Sequence, residues 1–216
     1  MWVVAAIFSA LFAGITTILS KCGLKNTNSN LATALRTSVV LLLAWLIVWI
    51  TGAFKTITDI RFKSWIFLIL SGLATGTSWI CYFKALSLGE VSKVAAVDKS
   101  SAILSVLLAI ILFPAERINW YLKLIFLLCI GIGTYLMTDI KNAEKNEKRT
   151  WFIFALLSAI FAAATSLLAS IGIQNVDSNL GTAIRTIVVF ILAWVIVFLK
   201  KKSISSKILI KKKFSF

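Results

Sequence analysis

Residues 151–197, WFIFALLSAIFAAATSLLASIGIQNVDSNLGTAIRTIVVFILAWVIV, repeat residues 2–48, WVVAAIFSALFAGITTILSKCGLKNTNSNLATALRTSVVLLLAWLIV, without a gap. Trp2 aligns with Trp151, Ser29-Asn30-Leu31 with Ser178-Asn179-Leu180, Arg36-Thr37 with Arg185-Thr186, and Ala44-Trp45 with Ala193-Trp194. Roughly half of the aligned positions are identical, more than shared oiliness gives. Each copy holds two apolar runs long enough to cross a bilayer as helices of about 20 residues. Three further runs separate the copies, so the repeating unit is five spans plus a linker, and the second copy supplies spans six and seven. Five is odd, so the second copy must enter the membrane from the opposite side. Inverted repeats of this kind build many secondary transporters, with the substrate site between the repeats.

Composition points to the same class. The chain is 60% hydrophobic with a mean hydropathy of +0.96, against roughly 45–50% apolar residues in a soluble domain. Its 23 Lys and Arg outnumber 8 Asp and Glu, for a net charge of +15. In a soluble chain that balance suggests nucleic acid. Here the basic residues fall mostly between or after apolar runs, where they read as positive-inside and headgroup anchors. The expected partner is therefore the lipid bilayer, with no nucleic acid. Cys22, Cys81 and Cys129 form neither a disulfide framework nor a metal-ligand pattern and read as packing residues. Without histidine there is no His-based catalysis or His metal site. No cofactor and no enzyme are expected.

The first span, Trp2 to Ser20, lacks the charged leader and short apolar core of a cleaved signal peptide. Its Ser9, Ala10, Ala13 and Gly14 form a small-residue face that predicts close approach by another helix. KNTNSN then makes a polar turn with Asn30 as the expected helix cap. Arg36 lies inside the second span, where it either snorkels to the headgroups or projects into a polar cavity. In the third span Gly72 and Gly76 make a GxxxG pair, a sign of tight helix packing. Trp79, Tyr82 and Lys84 cluster at its far end, as an interfacial aromatic belt or as a substrate vestibule.

Val91 to Phe113 is the span that carries the most unusual chemistry. It holds Asp98 and Lys99 side by side, some two turns in from its polar end. A charge near the middle of a spanning helix costs roughly 2.5–3.5 kcal/mol on insertion scales, so it is seldom left without a partner or a role. Neighbours on a helix lie about 100° apart, so the two charges point in different directions. Asp98 shares a face with Ser101 and Ser105, at spacings of three and seven, a polar stripe on an oily helix. Either both charges sit near an interface or pair with neighbouring helices, or they line a substrate or proton path.

These features together resemble the drug/metabolite transporter superfamily, and within it the EamA-type domain. The residues that carry the resemblance are Arg36, again present as Arg185, and SWICYFKALSLGEVSKVAAVDKSSAILSVLLAIILFPAERI. The glycine-rich CIGIGTYL of the fifth span fits as well. The resemblance covers residues 2 to about 199. It implies ten spans in two halves and export of amino acids, metabolites or drugs by alternating access. FPAER departs mildly from the family's usual leucine-glycine-glutamate corner. The second copy stops near where its third helix should begin, without equivalents of Trp79, Lys84, Asp98 and Glu116, as expected of a truncated or frameshifted full-length transporter.

The sequence therefore predicts an all-α polytopic membrane protein of seven helices in the plasma membrane. Residues 1–140 form the first five-helix repeat, 141–150 a polar linker, 151–199 a partial inverted repeat and 200–216 a basic tail. The expected function is secondary transport, in the export direction, of a small metabolite, amino acid or drug. Arg36, Trp79, Tyr82, Lys84, Asp98, Lys99, Ser101, Ser105 and Arg185 would form the substrate or ion pathway, with Asp98 as the coupling group. Two other readings stand beside it. One is a non-transporting remnant, or a subunit completed by a partner or by other copies of the chain. The other is a heptahelical receptor, which the repeat and the lack of a lysine in span seven argue against. With the N-terminus outside, the inner side would hold Lys21, Lys25, Lys84, Lys93, Lys141, Lys145, Lys148, Arg149 and the lysine-rich tail. The outer loops would hold Lys55, Arg61, Lys63, Arg117 and Lys123. The positive-inside rule thus predicts an outer N-terminus and a cytoplasmic C-terminus. A reporter fused in the linker near Asn146 should read as cytoplasmic; an external linker would reverse the assignment.

Overall fold

The computed structural model describes residues 2–24, 27–114, 120–137, 150–174 and 176–213. Eight α-helices account for nearly all of them: α1 Trp2–Leu24, α2 Ser29–Thr51, α3 Phe62–Leu88, α4 Val91–Lys99, α5 Ser101–Leu112, α6 Trp120–Met137, α7 Thr150–Gly172 and α8 Ser178–Lys213. A 3₁₀ turn, Ala53–Asp59, joins α2 to α3, and there is no strand among the described residues. Six segments are long and apolar enough to cross a membrane: Val3–Leu24, Ser29–Thr51, Phe62–Leu88, Val91–Leu112, Thr150–Gly172 and Ser178–Leu199. The expected fifth span is a shorter apolar helix, Trp120–Leu136. The corner at Glu116 and Arg117, and the linker up to Arg149, lie outside the described residues.

The helix ends follow local chemistry, and the two copies of the repeat use it alike. Asn28 caps α2, its Oδ1 accepting the backbone N–H of Asn30 at 3.1 Å. The cap is therefore Asn28 rather than Asn30, because the helix already begins at Ser29. Its counterpart Asp177 accepts from the N–H groups of Asn179 at 2.9 Å and Leu180 at 3.2 Å. The copies differ at the other end. α2 stops at Gly52, which takes φ 69° and closes the turn onto Trp49 O, a left-handed conformation that costs glycine nothing. Lys201 stands at the matching position of the second copy, and α8 runs on to Lys213.

The predicted single helix over Val91 to Phe113 is two helices meeting at Ser100. There the hydroxyl donates back to Val97 O at 2.6 Å, and the backbone N–H lies 3.2 Å from both Ala96 O and Val97 O. A serine bonding back into its own turn tightens and often bends a helix. That turn falls directly after the Asp98–Lys99 pair.

α3 is the axis of the bundle, packed between α7 on one side and α2 and α8 on the other. Large hydrophobics could not interdigitate at such short range, so its inner faces are small and hydroxylated. Ser71, Gly72, Ala74, Gly76 and Ser78 are all buried. A Cβ on Gly72 would sit 2.8 Å from Val188 Cβ and 2.9 Å from Arg185 O, and one on Gly76 3.2 Å from Leu192 Cδ2. The GxxxG pair is thus the seam against α8. Toward α7 the contact is polar: Ser71 Oγ donates to Thr165 O at 3.1 Å and Ser78 Oγ to Ser158 O at 3.0 Å. Small residues and hydroxyl bonds are what join helices in lipid, where apolar burial drives no association.

Two apolar clusters close the opposite ends of α3. One gathers Val48, Leu68, Leu180, Ala183 and Ile184 under Trp45 and Trp65; the other gathers Leu24, Phe83, Leu86, Val94 and Ala155 under Trp151. Lys21 fastens α1 at the second end, donating to the carbonyls of Leu86 at 2.5 Å and Gly89 at 2.7 Å. Those carbonyls lie at the negative end of α3, where a cation is favoured. Elsewhere α1 is open. Its small face does not meet another helix closely; a Cβ added to Gly14 would find no atom within 4 Å. The outward surface carries exposed Ile7, Leu42 and Leu136, suited to acyl chains.

Replacing Gly72 and Gly76 together by Leu should force α8 away from α3. Overpacking costs typically 1–3 kcal/mol per site, so the thermal midpoint in detergent should fall by at least about 5 °C. Gly14→Leu, on the open face, should leave it unchanged. Equal midpoints for all three proteins would mean that the glycine seam bears no packing load.

Candidate functional site

One small cavity of about 200 Å³ brings together three charged groups from inside the spans, Arg36, Asp98 and Lys99. α1 contributes Ala13, Thr16, Thr17 and Ser20, α2 contributes Arg36, and α3 contributes Ser78, Trp79 and Tyr82. α4 supplies Asp98 and Lys99, and α7 closes the wall with Ala162. Helical periodicity explains the convergence. Ala13, Thr16, Thr17 and Ser20 fall at spacings of three and four on α1, and Ser78 and Tyr82 at four on α3, so each set shares one face.

Asp98 is anchored from across the bundle. Ser158 of α7 donates to its Oδ1 at 2.7 Å, and Ser78 of α3 lies 3.2 Å from Ser158 Oγ. Ser158 is fully buried and Ser78 nearly so. A hydrogen bond to a charged acceptor contributes roughly 1.5–3 kcal/mol, about twice a neutral one. It offsets part of the cost of keeping a carboxylate out of water. Arg36 faces the same space with its guanidinium carbon 4.5 Å from the centre of the Trp79 ring and 5.7 Å from that of Phe83. Such stacking supports the cation while leaving the edge of the fork open. Tyr82 donates to Thr17 Oγ1 at 3.2 Å, tying α3 to α1 across the cavity. No direct ion pair joins Asp98 to Arg36 or Lys99 among the described residues.

Of the nine residues singled out in the sequence, Arg36, Trp79, Tyr82, Asp98 and Lys99 line this cavity, while Lys84, Ser101, Ser105 and Arg185 do not. Lys84 is half-buried further along α3. Ser101 and Ser105 lie outside the lining of this cavity, and Ser105 Oγ bonds to its own helix at Ala102 O. Arg185 lies in the glycine seam, donating from Nη2 to Thr75 Oγ1 at 3.1 Å, with its Nε buried and unpartnered. The residues the sequence reading missed are Ser158 and the α1 hydroxyls. A signal for Ser158 existed: Ser9-Ala10 and Ser158-Ala159 are kept in both copies, each followed two residues on by Phe-Ala.

Two larger cavities adjoin. One of about 1010 Å³ opens between α1, α4 and α6 and is lined by the small face of α1, including Ser9, Ala10, Ala13 and Gly14. It shares Ala13, Thr17 and Lys99 with the central cavity. The other, about 360 Å³, shares Thr16, Ser20 and Arg36 and extends to Thr27 and Ala32 near the α1–α2 turn. A third cleft of about 530 Å³ between α5 and α6 is walled by residues such as Leu107, Leu124 and Leu127 and holds no charged group.

A curated relative from Sinorhizobium sp, named an uncharacterized transporter in the cobO 3' region, is 42% identical over 118 residues, covering 55% of this chain and 83% of the relative. No solved structure matches. The family model described as the EamA-like transporter family matches residues 1–139. This multi-pass protein of the plasma membrane belongs to the EamA-like transporter family, within the drug/metabolite transporter superfamily, a family of transporters rather than enzymes.

Proposed function

We propose that this membrane transporter is a secondary exporter of a small solute, worked by alternating access, with the Asp98 cavity as its coupling and binding site. The observation that carries the reading is the bond from Ser158 to Asp98. It links the helix with the half-buried carboxylate to α7, the first helix of the second sequence copy, at the wall of a polar cavity. A rocking motion of one repeat against the other would strain or break this contact. The carboxylate's charge would set how firmly it holds: ionised Asp98 accepts a strong bond from Ser158, and neutralised Asp98 a weaker one. Binding a proton or a cationic group at Asp98 would thereby loosen α4 from α7. Such a link between occupancy and conformation is what coupled transport requires, since a ligand shifts an equilibrium only through its differential affinity for two states. Lys99 and Arg36 set the local field, and Trp79 and Tyr82 form the wall past which the solute moves.

Asp98→Asn should abolish solute movement driven by a pH gradient in proteoliposomes while inserting normally. Equal gradient-driven flux in the variant would remove Asp98 from the mechanism. Ser158→Ala should keep the carboxylate but lose its anchor, lowering the driven rate by about tenfold for the roughly 1.5 kcal/mol at stake. A rate unchanged by Ser158→Ala would show that the α4–α7 bond does not take part.

A further inference from the structure

We propose that Arg36 is a carboxylate clamp, and that the transported solute is a small organic anion, or a zwitterion that presents its carboxylate there. The inference rests on the transport reading above and names the class of solute. Its ground is the contrast between two arginines at the same place in the two copies. Arg185 is committed to structure, half-buried in the α3–α8 seam with its Nη2 bonded to Thr75. Arg36 donates no hydrogen bond to any described side chain or carbonyl; its contacts are the faces of Trp79 and Phe83. Five N–H donors in a planar fork, with one face covered by an aromatic ring, leave the edge that matches a carboxylate in two parallel bonds.

Charge and space agree. The cavity is lined by two cations, Arg36 and Lys99, and one anion, Asp98. Two minus one leaves one net positive charge, which favours an anion over a cation. Asp98 has one oxygen engaged by Ser158, and a solute ammonium would find its counter-charge on the remaining oxygen. The volume of about 200 Å³ lies below the roughly 300–1,000 Å³ typical of drug-sized ligands. Arg36 also lines the neighbouring cavity toward the α1–α2 turn. It therefore stands at a junction, able to take a carboxylate from one void and hand it to the other.

The test is thermal unfolding of the purified full chain in detergent free of anionic lipid, with four probes of one carbon skeleton: propionate, alanine, alaninamide and propanol. Propionate and alanine should raise the midpoint; alaninamide and propanol should not. Arg36→Gln should weaken the apparent affinity for propionate by at least about tenfold, the loss expected for charge-assisted hydrogen bonds. Arg36→Lys, which keeps the charge but not the fork, should weaken it less. Stabilisation by alaninamide above propionate, equal propionate binding to the wild type and both variants, or no response to any carboxylate would overturn the clamp. So would a response confined to inorganic phosphate or added phosphatidylglycerol, which would mark a headgroup site. The two readings fail separately. Arg36-dependent carboxylate binding with no loss of gradient-driven flux in Asp98→Asn would keep the clamp and remove the coupling role of Asp98.

Discussion

Everything in this bundle depends on how closely α3 can approach its neighbours. In lipid there is no hydrophobic force between helices, so contact must come from surface fit and hydrogen bonds. α3 meets both needs on different faces. Gly72 admits Val188 and the Arg185 carbonyl of α8 at distances that a Cβ would forbid, and Gly76 lets Leu192 pack closely. Ser71, Thr75 and Ser78 bond to α7. The seam to α7 sets Ser158 where it reaches Asp98, so the packing of the axis helix fixes the geometry of the polar cavity.

The two copies of the repeat then diverge in use. Thr16 and Arg36 of the first copy line open space, whereas their counterparts Thr165 and Arg185 are joined to Thr75 of α3. One copy presents the pair to a cavity and the other uses it for cohesion. The same contrast appears on the small faces: Ala10 and Gly14 border a void, while their counterparts Ala159 and Ala163 are buried. α1 is held chiefly by Lys21, Leu24 and Tyr82 near its C-terminal end, so the helix that lines all three connected cavities is also loosely packed along most of its length.

Much of this was legible in the sequence because it follows from short-range rules. Apolar runs gave the helices, Gly72 and Gly76 gave a packing face, and the lone carboxylate in an oily run marked Asp98. What could not be read required knowing which helices touch. Ser158 shows in the sequence only as one of many positions kept between the two copies, and its reach to Asp98 appears once α7 is packed against α4. Ser101 and Ser105 were grouped with Asp98 by helical spacing, but neither lines the cavity that Asp98 does. The small face of α1 has the composition of a tight interface but borders a cavity, since composition permits close approach without supplying a partner. Arg36 and Arg185 have closely similar local contexts, LATALRTSVV and LGTAIRTIVV, and tertiary packing separates their roles. Lys93, counted among the inner-side charges, is buried and paired with Glu90 at 3.1 Å, so it weighs less in orientation than its position suggests.

The central claim is that the face of α1 bearing Ser20 borders a water-accessible transport cavity while its opposite face meets lipid. Single cysteines at Ser20 and Ile15, in a chain with Cys22, Cys81 and Cys129 replaced, test it directly in intact membranes. A thiol reacts as its thiolate, which forms in contact with water and not in acyl chains. A hydrophilic maleimide should label Ser20→Cys readily and Ile15→Cys scarcely, and a bound solute should slow the first reaction alone. Labelling of Ile15→Cys as fast as Ser20→Cys, or no labelling at Ser20→Cys, would contradict a solvated path along α1.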